Sequence, residues 1–175
     1  MTEKNIRFTL HQYGIIVCDL VGWTRTSQRN NDLSLIEFLD AYYELCHAEL
    51  TGRGARVLKF MGDSCMAIVE PERLSALVAD LPAIHEHIEA LSQKHGISLK
   101  VATNVHLARV AAGDLGPADT RHFDVIGSGV NHVFLMGGSP GIRISEPVYR
   151  QLPNQARGPW NKHRPPATYS LSRPG

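Results

Sequence analysis

Residues 55–69, Ala-Arg-Val-Leu-Lys-Phe-Met-Gly-Asp-Ser-Cys-Met-Ala-Ile-Val, set two short apolar runs on either side of Met61-Gly62-Asp63. Gly62 supplies the backbone freedom that a tight reversal needs, and the β-branched and apolar residues on both sides suit paired, half-buried strands. The stretch predicts a β-hairpin with an acid, Asp63, at its tip and Lys59 close by. Gly-Asp is also an ordinary turn dipeptide, so chemistry at the tip needs a second signal elsewhere in the chain.

The surrounding segments supply the frame. Tyr13 to Leu20 is a compact apolar run that predicts a strand, followed by a glycine-bearing loop at Leu20-Val21-Gly22-Trp23-Thr24. Leu35, Ile36, Leu39, Tyr42, Tyr43, Cys46 and Leu50 recur at helical spacing over residues 33–50, with Ser34 and Glu37 as a capping box, and Thr51-Gly52-Arg53-Gly54 ends that helix. After Pro71, an apolar stripe from Leu74 to Leu91 keeps its phase through Pro82, which predicts a kinked helix or two nearly collinear ones. Ile97 to Leu107 alternates as a strand does. The order βαββαβ is that of a ferredoxin-like α+β core, two helices on one face of an antiparallel sheet. A C-terminal extension follows: a Gly-rich connection at Gly113-Asp114-Leu115-Gly116-Pro117, a strand at His122–Ile126, a short helix from Gly127-Ser128-Gly129 to Met136, and minor strands at Ile142–Ile144 and Thr168–Leu171. Pro153 to Pro166 reads as a loop. No internal repeat is present, and residues 1–175 read as one domain with its core at about 12–152.

Charge and composition exclude several functions. A net charge of +1 with no basic block argues against a nucleic-acid or membrane surface as partner. No apolar run approaches a membrane span and Met1-Thr2-Glu3-Lys4 leads into no signal-peptide core, so the chain is expected to be cytoplasmic. Cys18, Cys46 and Cys65 lie inside apolar runs without metal-type spacing and read as buried free thiols. The nine histidines form no pair of zinc-site spacing.

Asp19 is the second signal. In a split βαβ sheet the first strand and the central hairpin lie side by side, so Asp19 and Asp63 meet at one end of the sheet. Two adjacent carboxylates repel and raise each other's proton affinity unless a cation sits between them. Mg²⁺ or Mn²⁺ with phosphate oxygens is the fitting partner, and Gly22 lets the backbone of the Leu20–Thr24 loop approach phosphate. Two solvent-facing turn acids are the competing reading.

Four stretches together resemble the catalytic domain of class III nucleotidyl cyclases. They are Val17-Cys18-Asp19-Leu20-Val21-Gly22-Trp23-Thr24, Leu58-Lys59-Phe60-Met61-Gly62-Asp63, Ala112-Gly113-Asp114-Leu115-Gly116, and Phe123-Asp124-Val125-Ile126-Gly127-Ser128-Gly129-Val130-Asn131. The resemblance runs from about Gly14 to Leu152. It implies a homodimer with active sites at the interface, converting a nucleoside triphosphate into a 3′,5′-cyclic nucleotide and pyrophosphate. It implies two Mg²⁺ or Mn²⁺ ions per site on Asp19, Asp63 and Leu20, and Gly22 and Thr24 against the phosphates. Lys59 and Asp124 fall at the base-reading positions, Asn131 at the ribose-orienting position, and Lys100 where a triphosphate-binding arginine often stands. Lys59 and Asp63 would serve opposite sites of the dimer.

Two departures stand out. Leu135 occupies the position of an arginine that stabilises the transferring phosphoryl group, a loss that costs orders of magnitude in rate. Arg143, Arg150, or the Lys162 and Arg164 pair are the cations that could replace it. His132, Val133 and Phe134 stand where small residues are usual, and if they face the site they shrink it. A lysine donor and aspartate acceptor suit adenine, cytosine or, after a shift, uracil. The bulk, and a chain without sensor or transmembrane domain, similar to the stand-alone pyrimidine cyclases of bacterial antiphage systems, lean toward UTP or CTP, with ATP next. A non-catalytic cyclase-like module is the rival reading; an RNA-binding ferredoxin-like domain lacks the paired exposed aromatics that stacking needs.

Overall fold

A computed structural model describes residues 7–163 and 167–171 of the chain. Its elements, in chain order, are β1 (Phe8–Val21), α1 (Trp23–Ser27), α2 (Asp32–Gly52), β2 (Arg56–Met61), β3 (Ser64–Val69), α3 (Pro71–Lys94), β4 (Lys100–Leu115), β5 (His122–Ile126), α4 (Ser128–Leu135), β6 (Gly141–Ser145), α5 (Glu146–Gln151), β7 (Trp160–His163) and β8 (Thr168–Leu171). The strands form one sheet in the order β2-β3-β1-β4-β6-β8-β7, with β5 on the far end of β4. Its first four strands have the ferredoxin-like order expected, and β1 and β2 run parallel because both pair antiparallel with β3.

Strand β1 is apolar on both sides for a physical reason. Ile16, Cys18 and Leu20 meet the buried stripes of α2 and α3, while Ile15 and Val17 join a second cluster with Val133 and Met136 at α4. A strand covered on both faces reads as a continuous apolar run rather than an alternation. The three cysteines are free and buried, as expected; burial pushes the Cys18 thiol up to about 12.

Several boundaries differ from the sequence expectation. Asn31 caps α2, its side chain accepting the Ser34 N–H at 2.9 Å, so Ser34 lies in the first turn and is not the cap. Ile36, placed in the buried stripe by spacing, is 63% exposed; Phe38 takes the core position instead. Helix α3 continues through Pro82 as one element. Strand β4 runs straight through the Gly-rich connection to Leu115. Gly113 belongs there because a Cβ would lie 2.3 Å from the Arg7 carbonyl oxygen, a backbone approach that only glycine permits. The loop assigned to Pro153–Pro166 holds β7, whose Trp160 is buried and pairs with Leu171 on β8.

Helix α5 is not among the elements the sequence predicts; its Pro147 lies in the first turn, where proline is tolerated. Its Glu146 gathers the C-terminal strands: Oε2 accepts from Lys162 Nζ at 2.8 Å and Tyr169 Oη at 3.0 Å, and Oε1 accepts from Arg150 Nη2 at 3.1 Å. Led by the Lys162 hydrogen bond, these donors hold its carboxyl down at about 2. A depressed carboxylate stabilises the fold above its ordinary pKa and loses that contribution as pH falls through the folded value. Glu146→Gln is therefore expected to lower the melting temperature at pH 7, with the difference from wild type shrinking below pH 4.5 and gone by about pH 2. A difference that persists undiminished in acid would show that packing, not charge, is lost.

Candidate active site

Asp19 and Asp63 are brought together by register and by the turn. Asp19 pairs with Ser64, Leu20 N–H donates to the Asp63 carbonyl at 3.2 Å, and the Ser64 hydroxyl donates to Asp19 Oδ1. Gly62, with φ 63°, makes the reversal. Tyr43 on α2 fixes the tip, its hydroxyl donating to the Gly62 carbonyl at 2.6 Å and its ring stacked on Phe60 with centroids 4.1 Å apart. Sequence reading missed Ser64 and gave Tyr43 only a place in the apolar stripe. The signal for Ser64 was its position opposite Asp19 once the hairpin is laid beside β1.

The two acids open into a cleft of about 600 Å³ that Leu20, Gly22, Thr24 and Ser98 also line. Gly22 adopts φ 99° and starts α1, where a loop was expected. Partial burial pushes the Asp63 carboxyl up; its own backbone hydrogen bond offsets part of this, and the Asp19 charge pushes it further. Disfavoured ionisation beside a second carboxylate in an open polar cleft fits a hard divalent cation with oxygen ligands. Among the described residues no group of three or more His, Cys, Asp and Glu side chains is placed so that it could hold a metal ion. Asp19 and Asp63 would thus be the side-chain ligands, with Leu20 contributing from the cleft wall.

Lys59, Asp124 and Asn131 do not line this cleft. Lys59 Nζ is paired with Asp124 Oδ2, while Asp124 Oδ1 accepts the Val125 N–H at 2.8 Å. The pair depends on a β-bulge between Val57 and Lys59. Val57 and Phe60 face the α2 side of the sheet and Leu58 the α4 side. Simple alternation would send Lys59 back toward α2; the extra residue lets it follow Leu58 and reach β5. The Arg56 guanidinium over the Phe123 ring, 3.8 Å from its centroid, makes a second link between β2 and β5. Lys100 starts β4 opposite Val21, beside the cleft, with its ammonium on Glu89.

Asn131 is exposed on α4, which sits close against β4 because Gly129 has no Cβ; one would lie 2.3 Å from Ala108 Cβ. Of the three bulky residues that follow, His132 and Val133 are occupied elsewhere and Phe134 is not. Val133 is buried in the core, the His132 ring rests against His106 with centroids 4.5 Å apart, and Phe134 is 44% exposed. Burial, then the neighbouring His132, pushes His106 down to about 4. Leu135 is 76% exposed and offers no charge.

A ferredoxin-like sheet extended by β5–β8 is the fold of class III nucleotidyl cyclase catalytic domains. Comparison with known proteins agrees. No protein-family model matches the chain. An adenylate cyclase of Anabaena cylindrica is 24% identical over 151 residues, covering 79% of this chain and 30% of the relative, so the chain spans about a third of that protein's length. Among solved structures, the adenylyl cyclase CyaB from P. aeruginosa superposes with a TM-score of 0.82 at 17% identity, covering 96% of this chain and 97% of that one. The guanylate cyclase domain of RhGC from Catenaria anguillulae in complex with GTP gives 0.75 at 16% identity, over 95% of this chain and 100% of that one. At these identities the likeness establishes the fold.

The repulsion between the two acids can be measured directly. Above its raised folded pKa an ionised Asp63 costs the metal-free protein stability, and that cost disappears below its ordinary pKa. Asp63→Asn is expected to melt no lower than wild type without metal at pH 7, and to lose most of the rise in melting temperature that Mn²⁺ gives the wild type. An equal Mn²⁺-dependent rise in both proteins would place the cation elsewhere.

Proposed function

We propose that the chain is a nucleotidyl cyclase that works as a homodimer and makes a 3′,5′-cyclic nucleotide and pyrophosphate from a nucleoside triphosphate. The observation that carries this is the division of one chain into two half-sites: Asp19 and Asp63 share a cleft, while Lys59, Asp124 and Asn131 lie outside its lining. A two-fold partner completes both halves at once, the cleft of one subunit facing the Lys59–Asp124 pair of the other. The GTP-bound relative and the adenylate cyclase relative support a triphosphate substrate.

In this reading Lys59 donates to a ring nitrogen of the base and Asp124 accepts from its exocyclic amino group. Asn131 holds the ribose so that the 3′-oxygen lies in line with the α-phosphorus. The 3′-hydroxyl gives up its proton to solvent, its oxygen attacks the α-phosphorus, the bond from that phosphorus to the bridging oxygen breaks, and pyrophosphate leaves. Gly22, just before α1, and Thr24 in its first turn present backbone N–H groups to phosphate oxygens. Lys100 exchanges Glu89 for the triphosphate. Mg²⁺ or Mn²⁺ on Asp19 and Asp63 would supply activation of the 3′-hydroxyl and charge neutralisation on the triphosphate.

ATP is the substrate best supported, because the adenylate cyclase likeness points to it and two of the three residues that argued for a smaller base, His132 and Val133, are occupied elsewhere. CTP is the second reading, since cytosine presents the same donor and acceptor edge to Lys59 and Asp124. Incubation with each of the four ribonucleoside triphosphates and Mn²⁺, with products separated by mass, is expected to show ATP cyclised fastest; faster turnover of CTP or UTP selects the pyrimidine. Turnover of none leaves a nucleotide-binding module.

The shared site has its own test. Lys59→Ala and Asp63→Ala chains, each inactive alone, are expected on mixing to recover up to about a quarter of wild-type activity. The statistics are simple: half of randomly paired dimers are mixed, and each mixed dimer keeps one intact site of two. Absence of recovery, with mixed dimers detected by native mass spectrometry, would count against sites built from both subunits.

A further inference from the structure

Leu135 leaves the site of the proposed reaction without the cation that the cyclase pattern places four residues after Asn131, and the fold holds a replacement. Of the cations that the sequence offered, Arg150 and Lys162 are both paired with Glu146 on α5, and Arg164 lies outside the described residues. Arg143 on β6 is placed differently. Val17 pairs with Asn104 and Asn104 with Arg143, while two residues along Asp19 pairs with Ala102 and Ala102 with Gly141. Residues in one row share a face of the sheet. Asn104 identifies that face, since its amide donates to the Val133 carbonyl at 3.1 Å and the Gly137 carbonyl at 2.8 Å at the end of α4. Two strand spacings and two residues put the Arg143 Cα about 12 Å from that of Asp19 on the cleft side.

The guanidinium emerges beneath the end of α4, two residues past Leu135. Gly137 makes room for it: with φ 125°, it would carry a Cβ 3.3 Å from Arg143 Nε. Nη2 donates to the Ser139 hydroxyl. Gly138, between those two residues, lines the Asp19–Asp63 cleft. Nη1 is buried and has no hydrogen-bond partner among the described residues. A buried donor without an acceptor costs free energy that an arriving anion recovers, and a planar guanidinium suits a phosphoryl group. Burial pulls its pKa down from the ordinary value, yet an arginine stays charged at neutral pH.

We propose that Arg143 is the phosphoryl-binding cation of this chain: it stands on β6 behind Gly138, outside the present lining of its own subunit's cleft, with Ser139 as its brace, and its guanidinium swings past Gly138 when substrate binds so that Nη1 donates to the triphosphate. The inference rests on the cyclase reading. It changes no bond made or broken in the reaction; it assigns the negative charge that builds on the transferring phosphoryl oxygens to a partner.

The test compares wild type, Arg143→Gln, Arg143→Lys, and Arg143→Gln combined with Leu135→Arg. Folding is checked by melting, and kcat and KM are taken with the best triphosphate. Arg143→Gln is expected to lose about a hundredfold in kcat with KM changed less than about threefold, the pattern of a contact made in the transition state. Restoring an arginine at Leu135 in that background is expected to return at least tenfold. A folded Arg143→Gln protein with kcat within threefold of wild type overturns the inference, as does failure of the double variant to recover. If Arg143→Gln does not fold, Arg143→Lys decides: a point charge cannot hold Ser139 and phosphate as a fork does, so kcat must fall about tenfold, and an unchanged kcat overturns the inference. A wild type that cyclises no triphosphate sinks the cyclase reading itself, a result separate from all of these.

Discussion

The antiparallel ladder between β1 and β4 is the contact on which the rest of the molecule depends. It runs without a break from Phe8 opposite Gly113 to Val21 opposite Lys100. Every other part of the site is placed relative to it: β3 aligns on one side of β1 and brings Ser64 and the turn, β6 aligns on β4, and β5 folds onto the last turns of the ladder. Because β1 is covered on both faces, its register cannot slip by one residue without exchanging Ile15 and Val17 for Ile16 and Cys18 across the sheet. That same constraint decides that Asp19 emerges on the α4 side, where burial of the strand ends.

Much of this was legible in the residues. Apolar runs and stripes separated by glycine gave the βαββαβ order, and the order alone put Asp19 beside Asp63. Local chemistry was harder to read. Periodicity could not tell that Phe38 rather than Ile36 faces the sheet, because the apolar face of α2 is shared among more residues than the core takes up. The Gly-rich segment at Gly113 looked like a connection, yet the glycine serves a close backbone approach inside a strand. Pro147 sits in the first turn of α5, a helix that the sequence pattern did not predict. These misses have one cause: glycine and proline mark either an interruption or a tight fit, and only the neighbours decide which.

The bulky residues after Asn131 show how a local departure can mislead about a pocket. Read in line, His132, Val133 and Phe134 seemed to crowd the substrate. In three dimensions a short helix splits consecutive residues among different surroundings, so one fills the core, one meets His106 and one is turned outward. Side-chain volume read in line is therefore a poor guide to this pocket, whereas the Lys59–Asp124 pair is defined by its own hydrogen bond.

The bulge before Lys59 has a consequence for how such a domain can change over time. The meeting of Asp63 with Asp19 depends on the tip of the hairpin, whereas the reach of Lys59 to β5 depends on one additional residue in β2. Loss of that residue would leave the tip and its aspartate in place while turning the lysine to the helical side. A single-codon insertion or deletion in β2 can thus make or break the Lys59–Asp124 pair while the Asp19–Asp63 pair stays as it is.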